Sequence, residues 1–300
     1  MTDAATLIDP PGEDVRIDVT GGQVFCRVLG FGDGIPLVTI HGGPGAPSDY
    51  FETLEPLARN RRFVRYDQLG CGRSDRPADP ALWQRARFVD ELRRVIAHLG
   101  APQVCLLGHS WGSMIAADFA LDHPDAVAGL ILASPCLNMA RVTADMDRLR
   151  AALPAVVKDM LDRHEAAGTT ESGEYQVAAM AFYRRHICRS EIWPEALMRS
   201  VDGWNMDIYR QMWGPSEFTP TGELRDYNVE PRLAELTMPV LYLAGRHDEI
   251  PPETVQAYRE RTPDARLVVF ENSAHVAHIE EPVACIAAIN NFLTELEHAP

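Results

Sequence analysis

The chain has 300 residues, 46% of them hydrophobic and 24% charged, an ordinary globular composition that excludes a disordered chain and suits one large α/β domain with an insertion. Lys and Arg number 28 and Asp and Glu 43, so the formal net charge is −15, which repels phosphates and argues against nucleic acid or an anionic membrane as a partner. Six scattered cysteines form no C-x-x-C pair, so they are read as free thiols of a cytoplasmic protein, and the start of the chain shows no signal-peptide pattern.

Residues 1–14 read as a polar, flexible tail bearing Pro and Gly. Residues 15–19 and 23–29 are β-rich runs joined by Thr20-Gly21-Gly22, a hairpin signal. Residues 36–40 form a short apolar strand that runs into His41-Gly42-Gly43-Pro44-Gly45. A strand over 62–66 leads into Asp67-Gln68-Leu69-Gly70-Cys71-Gly72-Arg73-Ser74. Phe88, Leu92, Val95, Ile96 and Leu99 recur at helical spacing, predicting a helix over 81–99 that Gly100 ends. Residues 104–107 are a buried strand, followed by Gly108-His109-Ser110-Trp111-Gly112 and a helix over 113–121. A strand over 127–133 comes next. The stretch 138–232 then breaks the alternation; it is helix-like and rich in Met, Trp and Arg. Strands over 239–244 and 266–270, and helices over 253–261 and 282–296, complete the chain.

Short apolar strands alternating with helices predict an α/β fold, a mostly parallel sheet covered on both faces. The expected division is a tail over 1–14, a first core part over 15–137, an inserted helical cap over 138–232 and a second core part over 233–300.

Gly108-His109-Ser110-Trp111-Gly112 is G-x-S-x-G between a strand and a helix, the context of a nucleophile elbow. Ser110 is the candidate nucleophile, and the helix start beneath it favours developing negative charge. The glycines of the 41–45 run let backbone N–H groups approach a substrate oxygen, so Gly43 and Trp111 are the candidate oxyanion donors. In this chemistry the order is Ser, acid, His. Asp248 follows the strand over 239–244 and is the expected acid, with adjacent Glu249 the competing carboxylate. His275, on the loop after the last strand, is the expected base, with His247 and His278 as rivals. His275 and His278 lack a third ligand, so no metal site is expected.

HGGPG, the D-Q-x-G-x-G-x-S run over 67–74, G-H-S-W-G and the Asp-Glu pair after the strand over 239–244 together resemble the proline iminopeptidases. Within them the likeness is greatest to the tricorn-interacting aminopeptidases, and it spans roughly residues 15–297. The resemblance implies an α/β-hydrolase fold with a helical cap and a cofactor-free serine hydrolase. Its substrate would be a small molecule or short peptide with a free α-amino group, losing an N-terminal residue such as proline or an amide. Position by position it implies Ser110, Asp248 and His275 as the triad and Gly43 and Trp111 as oxyanion donors. It also implies that Glu249 and Glu217, the latter in Gly214-Pro215-Ser216-Glu217-Phe218-Thr219, hold the α-amino group.

Buried ammonium needs paired carboxylates, so that assignment is chemically coherent. Trp204, Tyr209 and Trp213 lead into Glu217 and are the preferred pocket candidates. Phe182, Tyr183, Trp193 and Met212 read equally as core of the helical stretch. Asp67, Gln68 and Arg73 are read as structural, capping a Gly-rich turn. The competing activity is a carboxylesterase or lactonase taking neutral acyl groups. A non-catalytic relative is disfavoured because no triad member is lost, and Ser110 disfavours chemistry that needs a carboxylate nucleophile.

Overall fold

The computed structural model describes residues 11–298. Its strands are β1 (Gly12–Val19), β2 (Gly22–Leu29), β3 (Gly34–Ile40), β4 (Arg61–Tyr66), β5 (Val104–His109), β6 (Val127–Ala133), β7 (Val240–Gly245) and β8 (Ala265–Phe270). They form one sheet in the order β1-β2-β4-β3-β5-β6-β7-β8. β2 runs antiparallel to both neighbours, and every other pairing is parallel.

Of the tail expected over 1–14, residues 1–10 lie outside the described residues. Residues 12–14 belong to β1, because the hairpin ladder continues past Val15 until Gly12 pairs Leu29. β1 alternates in burial, whereas β5 and β7 are buried throughout, the difference between an edge strand and one covered on both faces.

The helices are α1 (Arg85–Leu99), α2 (Trp111–Asp122), α3 (Met139–Ala151), α4 (Ala155–Ala166), α5 (Gly173–His186), α6 (Glu195–Asp202), α7 (Met206–Met212), α8 (Pro252–Arg261), α9 (Ala277–Glu280) and α10 (Pro282–His298). α1 starts later than expected: Asp79 caps a separate 3₁₀ turn over Pro80–Leu82 by accepting from Ala81 N–H at 3.0 Å. A 3₁₀ stretch over Ser48–Arg59 has no counterpart among the predicted elements; Pro56 interrupts its otherwise helical spacing of Tyr50, Phe51, Leu54 and Leu57.

Alternate residues of each central strand feed two cores. Val38, Ile40, Leu106 and Leu132 pack with α1, α2 and α8 on one face. Leu37, Leu107, Ile131 and Leu243 pack with the 3₁₀ stretch and α10 on the other. The segment carrying α3 to α7 has its own small core around Leu161, Phe182 and Phe218. Its two ends pair through an isolated bridge between Asn138 and Asn228. All six cysteines are buried and unpaired. Among the described residues no helix is long and apolar enough to cross a membrane.

The order β4-β3-β5 places a topological switch at the carboxyl ends of β3 and β5, since the chain leaves β3 toward one side and returns on the other. Crevices at such points collect ligands. Leu106 is fully buried in β5, beside that switch. Leu106→Ala is expected to destabilise the fold by about 2–5 kcal/mol, read as a lower denaturant midpoint with an unchanged slope.

Candidate active site

Ser110 stands between β5 and α2 with φ 53° and ψ −122°, a strained conformation for a residue with a side chain. The flanking glycines are forced by packing. A Cβ on Gly108 would lie 2.5 Å from Gly112 O, and one on Gly112 would lie 2.0 Å from Ile40 O. Backbone cannot yield there as a flexible side chain would, so this turn is built against the end of β3. Trp111 opens α2, leaving its N–H without an intrahelical acceptor.

The loop after β3 closes on the same point. A Cβ on Gly42 would sit 3.0 Å from Ser110 Cβ. Gly42 N–H donates to Tyr50 OH at 2.6 Å. Gly43 has φ 42°, and Trp204 packs so closely that a Cβ on Gly43 would be 2.4 Å from its Cζ2. The Trp204 indole N–H donates to Pro44 O at 2.9 Å. Among the described residues neither Gly43 N–H nor Trp111 N–H donates to a protein acceptor in this region.

Asp248 follows β7 and is buried. Its Oδ1 accepts from His275 Nδ1 at 2.8 Å and from Ile250 N–H at 3.0 Å. Neither rival histidine takes this position. His278 is buried against Tyr50, Phe51 and His109. Burial pushes it down to about 3, with His275 adding to the effect. His247 is half-buried, and its carbonyl accepts from His186 Nδ1 at 2.9 Å. For His275 burial alone would lower the pKa; the charges of Asp248 and Glu249 overcome it and raise it to about 9.

Glu249 is buried, with Oε1 3.6 Å from His275 Nε2 and Oε2 without a hydrogen-bond partner. Burial, then the charge of Glu217, pushes its carboxyl well above the usual range. Glu217 is half-buried and also raised by burial, although Tyr209 OH donates to its Oε2 at 2.7 Å. Among the described residues neither glutamate has an Arg or Lys partner. Tyr209 packs edge-on to Trp204 and stacks with Trp213, whose indole N–H donates to Glu217 O at 3.2 Å. Glu217, Trp204, Tyr209 and Trp213 therefore form one contiguous cluster, in contact with Gly43. Phe182 instead lies in the core of its own segment.

Several residues that hold the site together have roles the sequence reading did not assign. Gln68, read only as part of a turn, accepts from the Trp111 indole at 2.9 Å and donates to His41 O at 3.1 Å, tying the two candidate oxyanion loops together. Asp67 does match its structural reading. It accepts from Arg73 Nε at 2.8 Å and Ser48 N–H at 2.9 Å, and these partners hold it down to about 2 against burial. Tyr50 OH contacts His109 Nδ1 at 3.0 Å, and His109 Nε2 donates to His275 O at 2.8 Å. His186, at the end of α5, accepts from both Glu249 N–H and His275 N–H at 3.2 Å. The only local signal was that His109 occupies a variable position of G-x-S-x-G. Among the described residues no cluster of His, Cys, Asp and Glu is placed to hold a metal ion.

Residues 35–282 match the alpha/beta hydrolase fold. The chain is 43% identical over 282 residues to the proline iminopeptidase of Heyndrickxia coagulans, covering 93% of this chain and 98% of that protein. The solved structure of VinJ aligns with a TM-score of 0.92 at 37% identity, covering 96% of this chain and 100% of that one. The solved proline iminopeptidase of Mycobacterium smegmatis aligns with a TM-score of 0.87 at 35% identity, covering 95% and 98%.

The Asp248 charge is the first of those that raise His275, and its removal has a direct readout. Asp248→Asn is expected to lower the pKa of the His275 imidazole, followed by histidine NMR titration against the wild type. An unmoved titration would contradict the ion pair.

Proposed function

This chain belongs to the proline iminopeptidases of the alpha/beta hydrolase fold, and we propose that it works as a serine aminopeptidase through an acyl-enzyme on Ser110. The substrate loses its N-terminal residue, proline or another small apolar one, from a short peptide or an amino-acid amide. Ser110 Oγ attacks the carbonyl carbon of that first residue. His275 Nε2 takes the serine proton and then gives it to the departing amine. The N–H groups of Gly43 and Trp111 receive the oxyanion as the tetrahedral intermediate forms. A water activated by His275 then hydrolyses the acyl-enzyme. Asp248, bound to Nδ1, fixes the imidazole tautomer and balances the imidazolium.

One observation carries the preference for a free amine over a neutral acyl group. Glu249 and Glu217 are two carboxylates near His275 with no Arg or Lys partner among the described residues. Buried charge without a partner is costly, and a substrate ammonium supplies the partner. We assign the segment 138–232 as a cap over this site. In it Trp204, Tyr209 and Trp213 wall the slot for the first side chain, with Trp204 closing over the Gly43 loop. A plain esterase or lactonase would have no use for the two glutamates.

Three substrates test this: a prolyl arylamide, its N-acetylated form and a short neutral p-nitrophenyl ester. The free-amine arylamide is expected to turn over and the acetylated one to be inert. Fast ester turnover with both arylamides inert would replace the aminopeptidase reading by the esterase one. Ser110→Ala is expected to lower kcat on the scale of triad knockouts, about 10⁶-fold; activity near wild type would remove Ser110 from the mechanism. Glu217→Gln is expected to cost at least about tenfold in kcat/KM on the free-amine substrate, as loss of a charge-assisted bond does, with little change on the neutral ester.

A further inference from the structure

His275 has two ring nitrogens and needs both. Nδ1 is committed to Asp248 at 2.8 Å. Nε2 must accept the Ser110 proton, yet in this structure it lies 3.6 Å from Glu249 Oε1. Among the described residues no hydrogen bond joins Nε2 to Ser110 Oγ, which rests 3.9 Å from Cys136 Sγ. At 3.6 Å the contact with Glu249 is that of an ion pair rather than a hydrogen bond, so its hold is electrostatic.

The surroundings leave this pair no substitute partner. Asp248, Glu249 and Glu217 raise His275 as negative charges against its burial; burial and the Glu217 charge in turn raise Glu249, and the His275 charge lowers it. Its other titratable neighbours are His109, with ring centroids 4.7 Å away, and His278, and burial holds both well below the usual histidine range. The Glu249 backbone is fixed by the bond to His186 O, and its Oε2 is buried without a partner. Among the described residues, an imidazolium at His275 is thus the one positive charge facing Glu249.

We propose that Glu249 latches the base: it holds the protonated Nε2 of His275 until the α-ammonium of a substrate, arriving between Glu249 and Glu217, takes over the carboxylate and frees Nε2 for Ser110. This rests on the reading that the two glutamates receive the α-amino group. One positive charge enters and one leaves. The substrate ammonium keeps its protons, the Nε2 proton departs to solvent, and the exposed lone pair then accepts from Ser110 Oγ–H. No covalent bond other than N–H changes until Ser110 attacks.

The sign of the pH dependence follows. A group held at about 9 stays charged below that pH, so an unassisted His275 is a poor base at neutrality. A neutral ester brings no replacement charge and must wait for the proton to titrate off. A free-amine substrate removes the latch on binding. Selectivity for the amine therefore appears in kcat as well as in KM.

The experiment compares acid limbs, because kcat/KM reports the free enzyme and kcat the complex. With wild type and proline p-nitroanilide, the kcat limb is expected at least about one pH unit below the kcat/KM limb. With p-nitrophenyl acetate the two limbs are expected to coincide at the higher value. Glu249→Gln is expected to lower the ester limb by about one unit or more and to raise ester turnover at neutral pH by up to about tenfold per unit. Glu217→Gln is expected to move the ester limb less. Coincident limbs for the wild type on the free-amine substrate, or an ester limb unmoved in Glu249→Gln, would overturn the latch. If both glutamine variants lose amine preference while the limbs stay in place, the ammonium site stands and the latch fails. If amine preference survives both substitutions, the ammonium site itself fails. Should Glu249→Gln not fold, the wild-type limbs decide alone.

Discussion

Three carboxylates converge on one imidazole, and among the described residues no Arg or Lys joins them. Excess negative charge in a poorly solvated site is unfavourable unless something positive answers it. Under the proposed mechanism the imidazolium of His275 answers it until substrate binds. With substrate bound, an ammonium does so under the proposed mechanism. Under that proposal the distribution of charge sets both the resting state of His275 and the kind of molecule that relieves it.

Such a site needs a stiff frame, because a like-charged cluster left free would spread apart. The frame is backbone. The carbonyl of His186 accepts from Glu249 N–H and from His275 N–H, so one peptide group at the end of α5 holds the loops after β7 and β8 together. Val276 N–H donates to Ile187 O at 3.2 Å beside it. The carbonyl of His275 accepts from His109 Nε2 and from Ser134 Oγ. Because that carbonyl can only accept, His109 carries its proton on Nε2, and Nδ1 accepts from Tyr50 OH, which in turn accepts from Gly42 N–H. A directed chain of hydrogen bonds therefore runs from the loop after β3 to the loop after β8. Burial keeps His109 neutral, as the chain requires.

The segment between β6 and β7 is bound into this frame. Trp204 fills the space above Gly43 and bonds Pro44 O, and Asn205 bonds Gly45 O and Gly70 O. Its contacts reach the loop after β3 at one end and, through His186, the loops after β7 and β8 at the other. Substitutions in α5 or at Trp204 would be felt at Gly43, Asp248 and His275 through these contacts.

Much of this was readable along the chain because it depends on near neighbours. The apolar runs, the turn glycines and the strand–Ser110–helix context are properties of a few consecutive residues, where backbone sterics and periodicity act directly. Edges were less legible: β1 extends to Gly12 because Leu29 pairs with it, and the 3₁₀ stretch over Ser48–Arg59 is hidden by Pro56. Partnership across the sheet was named only through the order Ser, acid, His and the family resemblance, which paired Asp248 with His275 and Glu249 with Glu217; neighbouring residues alone left His247 and His278 as rivals. His275 and His278 are three residues apart and chemically alike; packing turns one toward Asp248 and buries the other against Tyr50 and Phe51. No sequence signal placed Gln68 between His41 and Trp111, or His186 between two loops. Local preferences choose the elements and place reactive residues at their ends, but which of those residues meet depends on strand order and long-range packing, which no short stretch of sequence contains.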